Sequence, residues 1–397
     1  MFVILISAVR IRSHFTPLSH AHLPLVTQGL RSGFLSKSEY KQLTAVETVE
    51  DFKTVLQDTD YVAALLGVSS PRAQLIYQKC FGKFVAEFEW IRSQSLGHLA
   101  PFIDMISYEF LISNVVAMIA ATVKGTPAEE VLDHCHPLGR SPYLKSMLTF
   151  EKDDNILDLY RVVLVDLPVA KYFAQYFDQE VKSGEPSKAL QGAFKEVDVN
   201  IISDQLRKLW LEDFYAYCKR LGGETWLIMK ELLEFEADRR AIEIVHNSIA
   251  VKSSLNDPLH RASRQSLFCS FGKLYPECTG SLTGQTGRSA VGSRHFSKID
   301  SDSALAAALE PFAVYREAMR KTLDKSSSLS DALKTVEVDL LKHAFDGQSH
   351  FACFYAFVKL KLVELENLRS IGSALSVKSR IVSSNGERKQ IKYIPIF

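Results

Sequence analysis

FACFYAFV, residues 351–358, is apolar on every face of a helix and contains no charged side chain. A surface helix normally carries a polar face, so a helix without one is expected to be surrounded by other helices. We therefore predict that Phe351 and Tyr355 are buried in a helical core. Charged residues then return and predict a side exposed to water, at Lys359, Lys361, Glu364, Glu366 and Arg369.

Helical patterns also dominate the rest of the chain, whereas alternating strand patterns are scarce. Apolar residues recur at steps of three and four, the spacing of one face of an α-helix. Ser36 stands three residues before Glu39, which is the arrangement of a capping box at a helix start. The fold is therefore predicted to be all-α. The predicted helical stretches are 48–66, 74–93, 102–124, 155–177, 201–221, 225–251, 305–323 and 330–373.

The helix predicted over 225–251 carries a dense polar segment, LEFEADRR, at 233–240. Arg239 lies on the apolar seam of this helix. Because an unpaired buried charge is costly, we predict that Arg239 is partly buried and meets a carboxylate. The charged side chains of the segment are predicted to form a polar network that fixes the conformation: Glu234, Glu236, Asp238, Arg239 and Arg240. Ion pairing inside the protein is favoured over direct contact with a partner, since buried charges are usually paired internally.

The composition is that of a globular protein with 397 residues, 47% of them hydrophobic and 23% charged. At this length several helical lobes are expected rather than one compact domain. Lys and Arg number 47 against 46 Asp and Glu, so the net charge is +1 and no nucleic-acid partner is expected. The six cysteines include no CxxC pair, which favours a reduced cytosolic protein, although Cys269 and Cys278 are near enough in sequence to bridge.

No segment reaches the roughly 18 uncharged apolar residues that a membrane-spanning helix needs. The best candidate, 110–123, lies between Glu109 and Lys124 and contains Ser113 and Asn114, which is typical of a buried core helix.

Residues 1–28 form an atypical N-terminal segment. Its apolar residues 1–9 precede Arg10 and Arg12, the reverse of the order in a signal peptide. No acidic residue occurs before Glu39, so a transit-like segment is an alternative. We favour a wrongly assigned start of the chain.

Three short segments invite a catalytic or metal-binding interpretation. Residues 284–289, GQTGRS, faintly resemble a phosphate loop, but arginine replaces its lysine and no buried strand precedes it. The adjacent side chains of HCH, residues 134–136, rarely converge on one ion, so a structural turn is favoured over a metal site. The acidic pair at 153–154 lacks the second motif of a metal-dependent all-α enzyme and suits a helix start. We predict no catalytic residue, no cofactor and no metal ion.

Glycine and proline divide the helical pattern at 125–127, 184–186, 222–223 and 256–258. The stretch 279–303 is rich in Gly, Ser and Thr and is predicted to be a mobile surface loop. Residues 51–58 align without gaps on 159–166, which hints at an internal repeat. This pattern favours stacked, similar helical lobes.

Several segments, in the same order along the chain, resemble the d subunit of eukaryotic V-type ATPases, which is similar to the archaeal C subunit. The resemblance covers about 29–397 and is carried by the segments 30–35 (LRSGFL), 135–139 (CHPLG), 233–240 (LEFEADRR), 273–277 (KLYPE), 350–351 (HF), 354–361 (FYAFVKLK) and 393–397 (YIPIF). Segments 1–28 and 279–303 depart from the family, the first by lacking its acidic, glycine-containing stretch and the second by its length.

The resemblance implies three helical lobes forming a funnel on the cytosolic face of a vacuolar, endosomal or lysosome-like membrane. The expected division is lobe 1 at 29–150, lobe 2 at 151–278, a flexible insertion at 279–304, and lobe 3 at 305–397 with its C-terminal helix packing back on lobe 1. The partners implied are the proteolipid c-ring, the central stalk of the ATP-hydrolysing sector and the membrane-sector subunit a.

In that family the subunit is non-catalytic and passes rotation of the stalk to the proton-carrying ring. This role needs a stiff body, and close-packed helices transmit strain. We group the five charged residues of 233–240 with His136, Phe351 and Tyr355 as the candidate coupling network. The alternative from the residues alone is a free-standing helical adaptor.

Overall fold

The computed structural model describes residues 23–124, 126, 128–139, 167–183, 196–250, 261–274, 296–345, 350–378 and 393–397. All regular elements within these ranges are helices, which confirms the all-α prediction. The α-helices are α1 (Leu23–Ser32), α2 (Lys37–Ala45), α3 (Val49–Gln57), α4 (Val62–Leu65), α5 (Ala73–Gln94), α6 (Leu99–Lys124), α7 (Ala128–His134), α8 (Ala170–Ser183), α9 (Glu196–Leu221), α10 (Gly223–Ala250), α11 (Arg261–Leu267), α12 (Asp302–Leu309), α13 (Ala313–Leu323), α14 (Leu329–His343) and α15 (Ala352–Lys378). Short 3-10 turns occupy Pro137–Gly139 and Phe296–Lys298.

The chain divides into two compact units. Unit 1 comprises residues 1–103 and 334–397, and unit 2 comprises 104–333. The funnel and the three lobes at 29–150, 151–278 and 305–397 stay predictions. The acidic pair at 153–154, the repeat partner 159–166 and the loop 284–289 lie outside the described residues.

In unit 1, α15 packs along α5 and also contacts α1 and α3. The rings of Phe84 and Phe357 lie 5.9 Å apart between α5 and α15. No residue of 351–358 is more than 6% exposed, which confirms the prediction that this stretch is surrounded. The helices approach closely at Gly372, where an added Cβ would lie 3.1 Å from that of Ala73.

In unit 2, α9 and α10 form a helical hairpin. Gly222 and Gly223 connect them with φ of +67° and +58°, a left-handed region that glycine enters without steric cost. Trp210 of α9 is fully buried and donates from its indole nitrogen to the backbone oxygen of Met105 on α6, at 2.8 Å. The break predicted at 222–223 lies between α9 and α10, which are two of the longest described helices of this unit.

Four of the predicted helical stretches are interrupted in the described residues. The stretch predicted over 330–373 is two helices, because α14 ends at His343 and α15 begins at Ala352, and in the described part of 155–177 a turn at 167–169 precedes α8. The stretch predicted over 48–66 ends as α3 at Gln57 and resumes as α4 at Val62, because Thr59 turns the chain by bonding the Leu56 backbone oxygen at 2.7 Å. The stretch predicted over 305–323 is broken at Pro311, whose ring and missing N–H oppose helix continuation. The capping box is confirmed: Ser36 Oγ accepts from Glu39 N, and Glu39 Oε2 accepts from Ser36 N at 2.6 Å.

One helix in the described part of the chain is long and apolar enough to cross a membrane, Leu99–Ala121 of α6. This helix contains Asp104 and Glu109, so it is not the uncharged apolar run by which a spanning helix is recognised in the sequence. Since 61% of its apolar window is buried inside the protein, α6 has the character of a core helix, as predicted for 110–123.

Candidate functional site

The segment 233–240 lies in the middle of α10. Its charged side chains contact one another, other residues of α10, and neighbouring parts of unit 2. Arg239 donates to Glu236 at 2.7 Å and to Glu243 at 3.0 Å, both on the same helix. Its side chain is 20% exposed and that of Glu236 only 2%. The prediction that Arg239 is partly buried against a carboxylate is confirmed.

Arg240 connects the two helices of the hairpin. Its Nη2 donates to Asp204 Oδ1 of α9 at 3.2 Å, and the arginine side chain is 10% exposed. A buried guanidinium that keeps a carboxylate partner avoids most of the cost of an isolated buried charge. This ion pair therefore holds α9 and α10 in register.

Asp238 is only 2% exposed and accepts hydrogen bonds from outside α10. Its carboxylate accepts from the backbone N–H groups of Lys273 and Leu274, at 3.1 and 3.0 Å, and from Tyr315 Oη at 2.7 Å. Burial raises the pKa of Asp238 to about 6, while these hydrogen bonds oppose the rise. One side chain thus connects α10 to the 271–274 loop and to α13.

The loop can reach Asp238 because residue 272 is glycine. Gly272 has φ of +121°, and an added Cβ would lie 2.5 Å from Asp238 Oδ1. A side chain would clash there, so only glycine lets the backbone approach the carboxylate.

Glu234 contacts a different, aromatic group. Its Oε1 accepts from Tyr215 Oη of α9 at 3.0 Å, and Lys230 lies 3.9 Å away. The Tyr215 ring stacks on Phe271, with centroids 3.9 Å apart, and meets the edge of Trp226 at 4.9 Å. Like Arg240, Glu234 therefore joins the two helices of the hairpin.

His136 lies apart from the 233–240 segment and packs on α6. Its ring stacks on Phe110 with centroids 4.2 Å apart, and its backbone exchanges two hydrogen bonds with the side chain of Asn114, at 2.8 and 2.9 Å. Burial lowers the pKa of His136 to about 4, although the nearby Glu109 opposes the shift. The imidazole is therefore neutral at physiological pH.

The CHPLG segment ends in Gly139, at a point where its backbone packs closely against α6. An added Cβ would lie 2.4 Å from the backbone carbon of Phe110 and 2.5 Å from the nitrogen of Leu111. Backbone atoms inside a helix cannot move aside, so this turn packs on α6 only without a side chain. His134 is exposed, and its ring bonds the Glu130 backbone oxygen at 2.7 Å, away from the His136 stack.

Phe351 and Tyr355 belong to unit 1 and have packing roles there. The Phe351 ring lies 5.7 Å from Phe102, and Tyr355 is 2% exposed with the Lys359 ammonium 5.6 Å from its ring. Within the described ranges, no group of three side chains is placed to hold a metal ion.

A second polar cluster, which the sequence did not predict, lies in unit 1. Lys361 and Glu364, expected on a wet face of α15, are 1% and 0% exposed. Glu364 accepts from Lys361 Nζ at 2.7 Å, from Tyr61 Oη at 2.6 Å and from the Leu35 backbone at 2.7 Å. Lys361 Nζ also donates to the Gly33 oxygen at 2.7 Å. The prediction of a wet side is wrong at these two residues, because their opposite charges pair with each other and their remaining polar atoms bond to Tyr61 and to the backbone of Gly33 and Leu35.

A signal for this cluster exists in the sequence. Lys361 and Glu364 continue the alternating steps of four and three that run from Phe357 to Leu368 and Ile371. A charged residue on such a seam is expected to be buried, by the same reasoning that was applied to Arg239.

The family model for the ATP synthase (C/AC39) subunit matches residues 26–380. The V-type proton ATPase subunit d of Dictyostelium discoideum is 35% identical, over 95% of this chain and 94% of its own length. Subunit d1 of the Arabidopsis thaliana V-type proton ATPase is 32% identical, over 91% of this chain and 95% of its own. The C subunit of the A-type ATP synthase of Thermococcus gammatolerans is 22% identical, over 57% of this chain and 56% of its own. The chain therefore belongs to the ATP synthase (C/AC39) subunit family.

Proposed function

We propose that this chain is the non-catalytic subunit of a V-type proton ATPase that couples rotation of the central stalk to the proteolipid c-ring. The observation that carries the proposal is the family match over nearly the whole chain, to relatives named subunit d of that pump. The chain sits on the cytosolic face of an acidified organelle, where it contacts the c-ring, the stalk and subunit a and reaches the membrane only through the complex.

The described helices suit such a role. Torque passes through a subunit only if its helices do not slide on one another. Arg240, Asp238 and Glu234 tie α10 to α9, to the 271–274 loop and to α13. In unit 1, Glu364 and Lys361 tie α15 to the 33–35 turn and to Tyr61. These ties give each unit internal stiffness, and none of them calls for a bound cofactor.

The test compares cells that lack the chain with the same cells re-expressing it. We expect loss of the chain to abolish organelle acidification while the ATP-hydrolysing sector still assembles, and re-expression to restore acidification. Native mass spectrometry of the tagged chain is expected to recover c-ring and central-stalk subunits. Recovery of no ATPase subunit after gentle purification, together with normal acidification in its absence, would favour a free-standing adaptor instead.

A further inference from the structure

The last residues of the chain, Tyr393–Phe397, lie in unit 1 against α15, α1 and the residues that follow α1. We infer that the surface they cover is a peptide-binding groove and that this carboxyl-terminal segment is its intramolecular ligand. The groove takes an extended apolar peptide with an aromatic residue at each end. The inference does not depend on the proposed coupling role.

The main chain of the segment is recognised by Asn367 of α15. Asn367 Nδ2 donates to the Ile394 oxygen at 2.7 Å, and Asn367 Oδ1 accepts from the Ile394 nitrogen at 3.0 Å. The amide therefore exchanges with Ile394 the two hydrogen bonds that a residue of a neighbouring strand would exchange. Asn367 is 4% exposed, and it also donates to Tyr40 Oη at 3.2 Å, which fixes its orientation.

The side chains of the segment fill two apolar positions. Tyr393 stacks on Tyr40, with ring centroids 5.0 Å apart and planes 13° from parallel. Ile396 is fully buried. Between them Pro395 is exposed, and its fixed φ lowers the entropy that an extended peptide loses on binding.

Phe397 completes the contact with the amino-terminal part of unit 1. Its ring packs edge-on against Phe34 and Phe345, with centroids 5.4 and 6.2 Å apart. The guanidinium of Arg31, in the last turn of α1, lies 5.0 Å from the Phe397 ring centroid. A ten-residue helix such as α1 is too short to be stable alone in water, so it depends on contacts of this kind.

The segment is joined to α15 through residues 379–392, so it binds as a tethered ligand. Tethering gives an effective concentration on the order of millimolar, which keeps the groove filled even where the free peptide binds weakly. Occupancy of the groove therefore adds to the contacts that α15 makes with α1, and release of the segment uncovers the groove and the side of the Phe34 ring that Phe397 contacts.

The experiment deletes Tyr393–Phe397 from the full-length chain and adds the segment back in trans. The probe is a fluorescein-labelled peptide of residues 391–397, IKYIPIF, followed by fluorescence anisotropy. We expect saturable binding to the truncated chain that is at least about tenfold tighter than binding to the intact chain, whose groove is occupied. The same peptide with Ile396→Asp is the control and is expected not to bind. Equal binding of both peptides, or no binding to a truncated chain with native helix content, overturns the inference.

A point variant covers the case in which the truncated chain does not fold. Asn367→Ala in the intact chain removes both bonds to Ile394 and leaves the linker unchanged. We expect hydrogen exchange to rise by about tenfold in peptides that cover 393–397 and α1, while exchange in α9 stays unchanged. Unchanged exchange at 393–397 would show that Asn367 does not hold the segment, and the groove would be refuted.

Discussion

Replacement of His136 by phenylalanine is expected to remove a defined part of the pH dependence of stability. His136→Phe keeps an aromatic ring on Phe110 but cannot take up a proton. In the native protein, burial holds the pKa of His136 at about 4, against an ordinary value of 6.5. Between these values the unfolded chain binds a proton that the folded chain does not. Stability from this group is therefore complete above pH 6.5 and is lost as the pH falls toward 4.

The magnitude follows from the shift. Each pKa unit corresponds to about 1.36 kcal/mol, so the loss of stability reaches about 3 kcal/mol at pH 4 and is about 1.3 kcal/mol between pH 7.5 and pH 5.5. The assay is urea unfolding at those two pH values. Native protein is expected to lose about 1.3 kcal/mol more than His136→Phe on acidification. The control is His134→Phe, an exposed neighbour two residues away, which should behave like the native chain.

NMR gives a second, direct measurement. In the folded protein, the chemical shifts of the His136 ring protons are expected to stay constant down to about pH 5, because the imidazole remains neutral. The reasoning fails if His136→Phe loses as much stability on acidification as the native chain, or if the His136 resonance titrates near 6.5.

Two further predictions concern packing and buried charge. Gly139→Ala forces a methyl group against the backbone of α6 and should cost about 1–3 kcal/mol of unfolding free energy, whereas Gly82→Ala on open surface of α5 should gain up to about 1 kcal/mol. Equal effects of the two glycine variants in thermal unfolding would contradict the Gly139 geometry. Glu364→Gln leaves the buried Lys361 ammonium without its counter-charge and should cost about 3–5 kcal/mol, while Glu366→Gln in an exposed pair should cost less than about 1 kcal/mol. A double-mutant cycle that adds Lys361→Met should show strong non-additivity, and additive losses would rule out the pairing.

Much of the fold could be predicted from local patterns. Periodicity located the buried stretch 351–358, and the Ser36 capping box and the 222–223 break were visible in a few adjacent residues. These features depend on neighbours within one or two helical turns, so the printed sequence contains the information that specifies them.

The break at 310–312 also has a local signal, which is Pro311. The helical spacing of apolar residues on either side led instead to the prediction of one continuous helix over 305–323. Pro311 stands inside a stretch that otherwise has helical spacing. A proline at such a position ends or kinks a helix, so the correct prediction was two helices.

The polar clusters could be predicted only in part. That Arg239 needs a carboxylate follows from the cost of a buried charge, and the helix itself supplies Glu236 and Glu243. The partners of Asp238 lie 35, 36 and 77 residues away in the chain, and the partners of Glu364 other than Lys361 lie 303 and 329 residues away. No local pattern encodes such distances, because they depend on how the helices pack.

The hairpin of α9 and α10 has a mechanical consequence. A helix of 28 residues such as α10 is about 42 Å long, and its companion α9 is nearly as long. Arg240 and Glu234 link the two helices near the middle of α10, and the Gly222–Gly223 turn joins them at one end. The two helices are therefore held together at more than one point along their length. A sideways load at the closed end must bend both helices together, so a displacement there is delivered at the far end with little lost to shear.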